Sequence, residues 1–246
     1  MIVKKQFYGD RSLHSYVIPD GTREIGDWAF AGCTLLTRIE IPISVKKIGK
    51  GVFAGCENLK KVCLYGTGIS TEGGSFQEEI MAVALRFFQG AEEIISAGEN
   101  GMDAVLLAWD RACRRFLEES DEEGFRPFLA GGEEDYADDE KERERYRTER
   151  SLLKARVVVM RLLTSKTQKE YFEGYLKNNE MTLELLREAW SQPKQVVELL
   201  ERTKIITEEK CREVMEKLPS ECVEMKALLL QKLSEDSQTI LNALFI

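Results

Sequence analysis

The chain has 246 residues, of which 43% are hydrophobic and 32% are charged, and its formal net charge is −8. This length predicts one large globular domain or two smaller ones with a well-solvated surface. An acidic chain repels the phosphate backbone, so we expect no nucleic-acid partner. No apolar run approaches the ~18 residues of a membrane-spanning helix, so we expect no membrane partner either.

The start of the chain and its cysteines bear on location. The first ten residues, MIVKKQFYGD, contain two lysines but no apolar segment after them of the kind found in a signal peptide. Six cysteines are scattered along the chain without a CxxC pair, which favours free thiols in a reducing compartment. We therefore expect a cytoplasmic location, and a cell-surface location is the alternative if the sequence has been trimmed.

Two segments near the start repeat one phrase. They read AFAGCTLLTRIEIP at 29–42 and VFAGCENLKKVCLY at 52–65. We call the number of residues that separates equivalent positions of the two segments, such as 29 and 52, the repeat period. Both contain the pattern L-x-x-φ-x-φ, which is typical of a short strand and recurs one repeat period earlier at 13–18. The repeat period falls within the ~20–29 residues of leucine-rich solenoids. We therefore predict about three parallel strands joined by two complete connections.

Alternation within these strands separates two faces. One face is apolar and is expected to pack against Phe30 and Phe53 from the connecting segments. The opposite face is expected to be open to solvent and is the candidate partner-binding surface. It carries Ser15, Val17, Arg38, Glu40, Lys61 and Cys63. Since alternation directs Cys63 toward this open face, it is also a candidate reactive thiol.

The repeats resemble the BspA-like, or Treponema-type, leucine-rich repeats of bacteria. Residues 11–66 follow the family phrase I-P-x-x-V-x-x-I-G-x-x-A-F-x-x-C-x-x-L-x-x-I. The resemblance implies a curved parallel sheet and a protein-binding role. Many members of the family are surface proteins with long arrays, so a surface-associated adhesin is one alternative. The short array and the missing export signal argue against it.

Two complete units are fewer than the roughly three that a solenoid usually needs for stability. The open end after Leu64 is therefore expected to be capped by another part of the chain. We predict a leucine-rich repeat region at 1–66, a linker at 67–75 and a helical domain at 76–246. The predicted fold class is α+β, a short leucine-rich-repeat solenoid capped by an all-α helical-repeat domain.

Helical spacing of apolar residues follows the linker. Capping-box patterns at Ser75, Ser120 and Ser165 each predict a helix start. The charged segment 133–150 pairs opposite charges three and four residues apart, which predicts a solvated helix, with a mobile acidic loop or docking surface as the alternative. The predicted helices lie at about 102–117, 152–163, 168–178, 181–190, 193–203, 207–217 and 220–233.

The end of the chain is similar to ankyrin repeats. VVELLERTKIITEEKCREVME resembles the second helix of one ankyrin-like unit, a bridge and the first helix of the next. The separation of Leu199 and Leu229 is close to the ~33-residue ankyrin period, although the TPLH-type signature is absent. The resemblance implies helix pairs toward the C-terminus and no particular activity.

No pattern in the sequence indicates a catalytic or cofactor site. His14 is the single histidine, and the glycine pairs at 73–74 and 131–132 do not continue into a phosphate-binding motif. Cys33 and Cys56 occupy equivalent repeat positions and are expected to be buried. We therefore expect no enzymatic activity, no metal and no cofactor.

The sequence favours a non-enzymatic protein–protein interaction module. The expected binding surfaces are the exposed strand face and the helical-repeat surface. The alternative is a structural scaffold or a subunit of a larger bacterial assembly. The partner protein and the oligomeric state are not determined by the sequence.

Overall fold

The computed structural model describes residues 1–66, 69–70, 75–123, 125, 136–164, 169–187, 190, 192–220 and 222–244. The chain divides into two compact units, Met1–Glu119 (unit 1) and Ser120–Ile246 (unit 2). Unit 1 contains the repeats and the first three α-helices. The domain boundaries at 66 and 75, which were placed where the repeat phrase ends, stay predictions.

Unit 1 contains the three parallel strands that the repeat predicts. Its strands are β1 Ser15–Val17, β2 Glu24–Ile25, β3 Arg38–Pro42, β4 Lys47–Ile48, β5 Lys61–Gly66 and β6 Ile69–Ser70. The main sheet has the order β1-β3-β5-β6, in which β1, β3 and β5 are parallel and β6 is antiparallel to β5. β2 and β4 form a second parallel ladder. Partners along both parallel ladders are one repeat period apart, because each strand belongs to the next repeat layer.

A column of stacked phenylalanines forms the centre of the repeat layers. The rings of Phe7 and Phe30 stack with centroids 4.9 Å apart, and those of Phe30 and Phe53 stack at 5.6 Å. Phe30 also contacts Tyr16 from β1, as the apolar strand face predicts. The surrounding aliphatic side chains are fully buried, so the layers share one continuous core.

The stack also contains a layer that the sequence interpretation missed. Ile2 forms a parallel bridge with Ile25, and Phe7 occupies the position equivalent to Phe30. Gly9 has a φ of 71°, matching 75° at Gly32 and so occupying the same left-handed turn. The signal was present, since Phe7 and Gly9 precede Phe30 and Gly32 by one repeat period, but no apolar run marks this layer.

Helices cover the far end of the sheet, as predicted. The remaining elements of unit 1 are α1 Ser75–Phe87, α2 Ala91–Ser96, a 3₁₀ turn at Ala97–Asn100 and α3 Met102–Glu118. α1 packs against β5 and buries Ile80 and Met81, while α3 packs against α1. The indole Nε1 of Trp109 donates to the carbonyl of Ile80 at 3.0 Å, and Trp109 is fully buried. The helix predicted over 102–117 is confirmed.

Unit 2 is helical throughout its described elements. These are α4 Tyr136–Thr164, α5 Lys169–Asn178, 3₁₀ turns at Glu180–Thr182 and Glu184–Arg187, α6 Pro193–Arg202, α7 Glu208–Lys217 and α8 Val223–Leu244. The apolar segment 152–163 lies within α4, where Val157 and Val158 are fully buried. Within the described ranges, no helix is long and apolar enough to cross a bilayer.

Two local predictions in unit 2 are wrong. Ser120 begins a turn and not a helix, because its hydroxyl accepts from the N–H of Glu122 and its carbonyl accepts from the N–H of Glu123. Over the described residues 181–187, the two 3₁₀ turns replace the helix predicted at 181–190, and the Thr182 hydroxyl donates to the carbonyl of Leu176 there. The predicted start at Ser165 lies outside the described residues.

The charged segment forms the beginning of α4, as the spacing of its charges predicts. Arg145 Nη2 lies 2.6 Å from Glu142 Oε2, and Arg147 Nη1 lies 3.1 Å from Glu144 Oε2. Both pairs join residues three apart on the exposed helix surface. Residues 133–135 lie outside the described range.

Candidate functional site

The register of the sheet arranges the six candidate residues in two rows. Ser15 pairs with Arg38, which pairs with Lys61 on the next strand. Val17 pairs with Glu40, which pairs with Cys63. Side chains directly opposite each other on neighbouring strands point to the same face, so the structure brings all six together as the alternation predicts.

Five of the six candidates are accessible. Val17 is 55% exposed, which is high for an apolar side chain on a strand, and Ser15 is also exposed. The side chains of Arg38 and Glu40 are about one-third exposed, and that of Lys61 is about half exposed. We name this surface, made by Ser15, Val17, Arg38, Glu40 and Lys61, the strand face.

The structure corrects the prediction that Cys63 is a reactive thiol on an open face. It is only 5% exposed, because α1 packs across β5 and places Glu78 over it. The thiol Sγ donates to Glu78 Oε1 at 2.7 Å and accepts from Arg38 Nη2 at 2.7 Å. Alternation along the strand predicted the correct direction of the side chain but could not show that a helix closes over it.

Arg38 is held in place by the groups around it. Its Nη1 donates to Glu78 Oε1 at 2.9 Å, and its Nε donates to Glu40 Oε1 at 3.4 Å. Burial lowers the pKa of Arg38, but the hydrogen bond to Glu78 and the nearby Cys63 outweigh burial, so the pKa is raised. The guanidinium is therefore a fixed cation, one-third of which faces solvent, and Lys61 Nζ adds a second cation 4.0 Å from Glu78 Oε2.

The sequence interpretation missed Glu78 and Tyr65. Ser75-x-x-Glu78 matches a capping box, which assigns the carboxylate to the helix end and not to the sheet. In the structure Glu78 is 8% exposed and bonds to Arg38 and Cys63. The hydroxyl of Tyr65 donates to the carbonyl of Ile18, joining the last parallel strand to the end of the first. No spacing in the sequence predicts either contact, since both join distant residues.

Comparison with known proteins finds a family model that matches the N-terminal part of the chain. Residues 1–96 match the family model described as BspA type leucine-rich repeat region (6 copies). Residues 1–96 are therefore similar to BspA-type leucine-rich repeats. The match extends past β5 into the described residues 75–96, which here form α1 and α2. No curated protein and no solved structure matches the chain.

The match to the repeat family indicates binding as the general role of these residues. BspA-type repeats imply a binding module, and families of this kind are typically non-catalytic. The comparison found no enzyme family, and the match does not reach the helices beyond residue 96. Across the described ranges, no group of three or more His, Cys, Asp or Glu side chains could hold a metal ion.

Two cysteines occupy the interior of the BspA-type repeats, as predicted. Cys33 and Cys56 are buried, and their thiols donate to the carbonyls of Phe7 and Phe30 in the preceding layers at 3.0 and 3.1 Å. Burial raises the pKa of the Cys33 thiol. Burial, together with the neighbouring Cys33, raises the pKa of the Cys56 thiol to about 11.

The raised pKa of Cys56 predicts a loss of stability in alkali. An unfolded chain releases this thiol proton near pH ~8.5, whereas the folded chain keeps it up to about pH 11. The stabilisation is complete below pH ~8.5 and is lost as the pH rises through about 11, because the unfolded state then binds fewer protons. We expect the wild type to lose about 2 kcal/mol more free energy of unfolding than Cys56→Ala over this range.

Urea unfolding of both proteins at the two ends of this pH range would measure the difference. Groups that titrate in alkali at a distance from Cys56 contribute equally to both proteins, so they cancel in the comparison. A parallel fall in the two unfolding free energies would contradict the prediction.

Proposed function

We propose that the chain is a non-enzymatic protein–protein interaction module that binds its partner through the strand face. The observation that carries the proposal is the combination of an exposed apolar residue, Val17, with the fixed charge of Arg38 on one surface of a rigid sheet. Arginine is enriched among the residues that dominate binding energy. Because Glu78 and Glu40 already order the Arg38 side chain, binding loses little conformational entropy there.

The test variant alters the strand face and keeps the ion pair between Arg38 and Glu78 beneath it. Val17→Ser, Glu40→Gln and Lys61→Gln are combined, and Arg38 is left unchanged. Neutralising Arg38 would leave Glu78 without its closest cation, so a loss of binding could reflect a loss of stability.

A matched control exists on the second ladder of the same array. Glu24 and Lys47 form an exposed cross-strand ion pair of 2.7 Å between β2 and β4. The control combines Glu24→Gln with Lys47→Gln, which removes one charge of each sign, as the test variant does. Exposed pairs of this kind contribute about 0–1 kcal/mol, so the control should fold normally.

The measurement is affinity capture from the source cell with quantitative mass spectrometry, alongside the melting temperature of each protein. We expect a protein that the wild type and the control capture equally and that the test variant captures at least about fivefold less. The melting temperature of the test variant should stay within about 3 °C of the wild type. Equal capture of every protein by all three would exclude the strand face as the binding surface.

We also propose that the helical part contributes a second binding surface built from helix pairs similar to ankyrin. Its support is the spacing of α6 and α8, which begin at Pro193 and Val223 and are offset by the same separation as Leu199 and Leu229. These two leucines, at equivalent positions of the two helices, are both buried. A cytoplasmic, reducing location is part of the same proposal and is supported by six cysteines that are all free thiols.

A further inference from the structure

One set of main-chain hydrogen bonds between the repeat layers runs in a single direction. In each of the first two layers, three alternate N–H groups donate to carbonyls of the layer that follows. In the first layer the donors are Lys5, Phe7 and Gly9, and in the second they are Trp28, Phe30 and Gly32, with donor–acceptor distances of 2.8–3.0 Å. The equivalent donors of the third layer are Gly51, Phe53 and Gly55, and no described residue accepts from their N–H groups.

A cavity lies beside these donors. It has a volume of about 410 Å³ and is lined by residues 48–54 of the third layer and 85–92 at the end of α1 and the start of α2. Gly51 and Phe53 are both in its wall. The volume is within the range of about 300–1,000 Å³ that is usual for ligand sites. The opposite wall comes from helix ends, which present no main-chain carbonyl to Gly51 or Phe53.

Arg86 supplies a cation to the same cavity. It lies in the last turn of α1, is half-buried, and makes no hydrogen bond or ion pair with any described residue. Its guanidinium carbon lies 4.8 Å from the ring centroid of Phe87. Burial lowers the pKa of Arg86, while Cys56 and Glu57 partly oppose that effect. A carboxylate bound to this half-buried arginine would stabilise it, because a charge-assisted hydrogen bond offsets the free-energy cost of burying the guanidinium charge.

The other charged groups of the wall leave it positive. Lys50 is a second cation, and Glu92 is the acidic residue in the lining. Glu57 lies close enough to influence Arg86 but is exposed and outside the lining. An acidic occupant therefore meets an excess of positive charge.

We propose that this cavity binds an extended acidic peptide segment of a partner protein. Two alternate carbonyl oxygens of the segment accept from the N–H groups of Gly51 and Phe53. In the same way, carbonyls of the second and third layers accept from the N–H groups of the layers before them. A carboxylate of the segment bonds to Arg86. The two-residue spacing of the donors matches the period of an extended chain, and such main-chain pairing is a common mode of peptide recognition. The site is separate from the strand face and does not depend on it.

The binding test uses a fluorescein-labelled, acetylated octapeptide of alternating glutamate and valine. We expect saturable fluorescence anisotropy with a Kd below about 1 mM. Arg86→Gln should weaken binding at least about tenfold, since it removes the charged partner. Ala54→Phe, which adds a large side chain at an exposed position of the wall, should abolish binding by filling the cavity. Lys47→Gln, which removes an exposed cation outside the lining, should keep the affinity within about twofold.

Two further ligands separate the contributions of the charge and the main chain. The same peptide with glutamine in place of glutamate should bind more weakly, and glutarate should bind at least about tenfold more weakly than the acidic peptide. Equal affinity for glutarate would mean a site for small carboxylates and would overturn the peptide assignment. Absence of binding by the acidic peptide, or unchanged binding by Arg86→Gln, would overturn the proposal.

The strand-face variant makes this result independent of the proposed function. Val17→Ser with Glu40→Gln and Lys61→Gln should bind the acidic peptide as the wild type does, because none of these residues lines the cavity. A loss of peptide binding in that variant would contradict the separation of the two sites.

Discussion

Replacing Phe30 with alanine is expected to lower the free energy of unfolding of unit 1 by about 4 kcal/mol. Phe30 is fully buried, and its ring stacks between those of Phe7 and Phe53 in the neighbouring layers. The substitution removes an aromatic side chain from the middle layer, so the layers on both sides lose contacts. Each layer depends on its neighbours for burial of its apolar face, which limits how far the array can relax into the cavity.

Urea unfolding followed by tryptophan fluorescence would measure this effect in a Trp190→Phe background. The remaining tryptophans, Trp28 and Trp109, both lie in unit 1. Tyr8→Ala is the control, because Tyr8 is an aromatic residue of the first layer that is 59% exposed, and its loss should cost under about 1 kcal/mol. A cost for Phe30→Ala no larger than that of the control would show that the phenylalanine column does not support the array.

Replacing Gly49 with alanine is expected to cost about 3 kcal/mol. The N–H of Gly49 donates to the carbonyl of Ile25 at 2.8 Å, which holds the two layers close together. A Cβ at this position would lie 2.4 Å from the main-chain nitrogen of Asp27 and 2.5 Å from its Oδ1. The main chain of the neighbouring layer cannot move aside without lengthening that hydrogen bond, so the layers must separate locally.

Gly9→Ala is the informative comparison for this substitution. Gly9 has a φ of 71°, so alanine is strained there, but a Cβ would have no atom within 4 Å. Its cost of about 1 kcal/mol reports backbone strain alone. The same unfolding experiment should rank Gly49→Ala above Gly9→Ala, and the reverse order would mean that layer spacing is not the reason for glycine in the repeated Ile-Gly phrase.

The repeat phrase was sufficient to predict the three parallel strands of the main sheet. Phe30 and Phe53 recur one repeat period apart because the layers place equivalent side chains directly above one another, so the period in the sequence equals the register of the sheet. Phe7 belongs to the same column, yet its layer was missed because the surrounding residues carry little of the phrase. Short elements with weak patterns are the ones that sequence reasoning loses.

The strand face was predicted residue by residue, but its boundary was not. Alternation along β5 directs Cys63 and Lys61 to one face, and the structure agrees with that direction. Glu78, which closes over Cys63, comes from a helix that follows β5 closely in the chain. How that helix packs depends on contacts of its whole apolar side with β5 and α3, and no local pattern contains that information.

The sequence by itself determined the layered parallel sheet, the burial of Cys33 and Cys56, and the helices whose apolar residues recur with a clear period. These follow from periodicity, which is a local property of the chain. Only the tertiary structure decided that Cys63 is covered, that Arg38 is fixed by Glu78, and that Gly51 and Phe53 face a cavity containing Arg86. Each of these depends on where α1 lies against the last layer, and that placement is set by packing of its whole apolar side against β5 and α3, which no local sequence pattern contains.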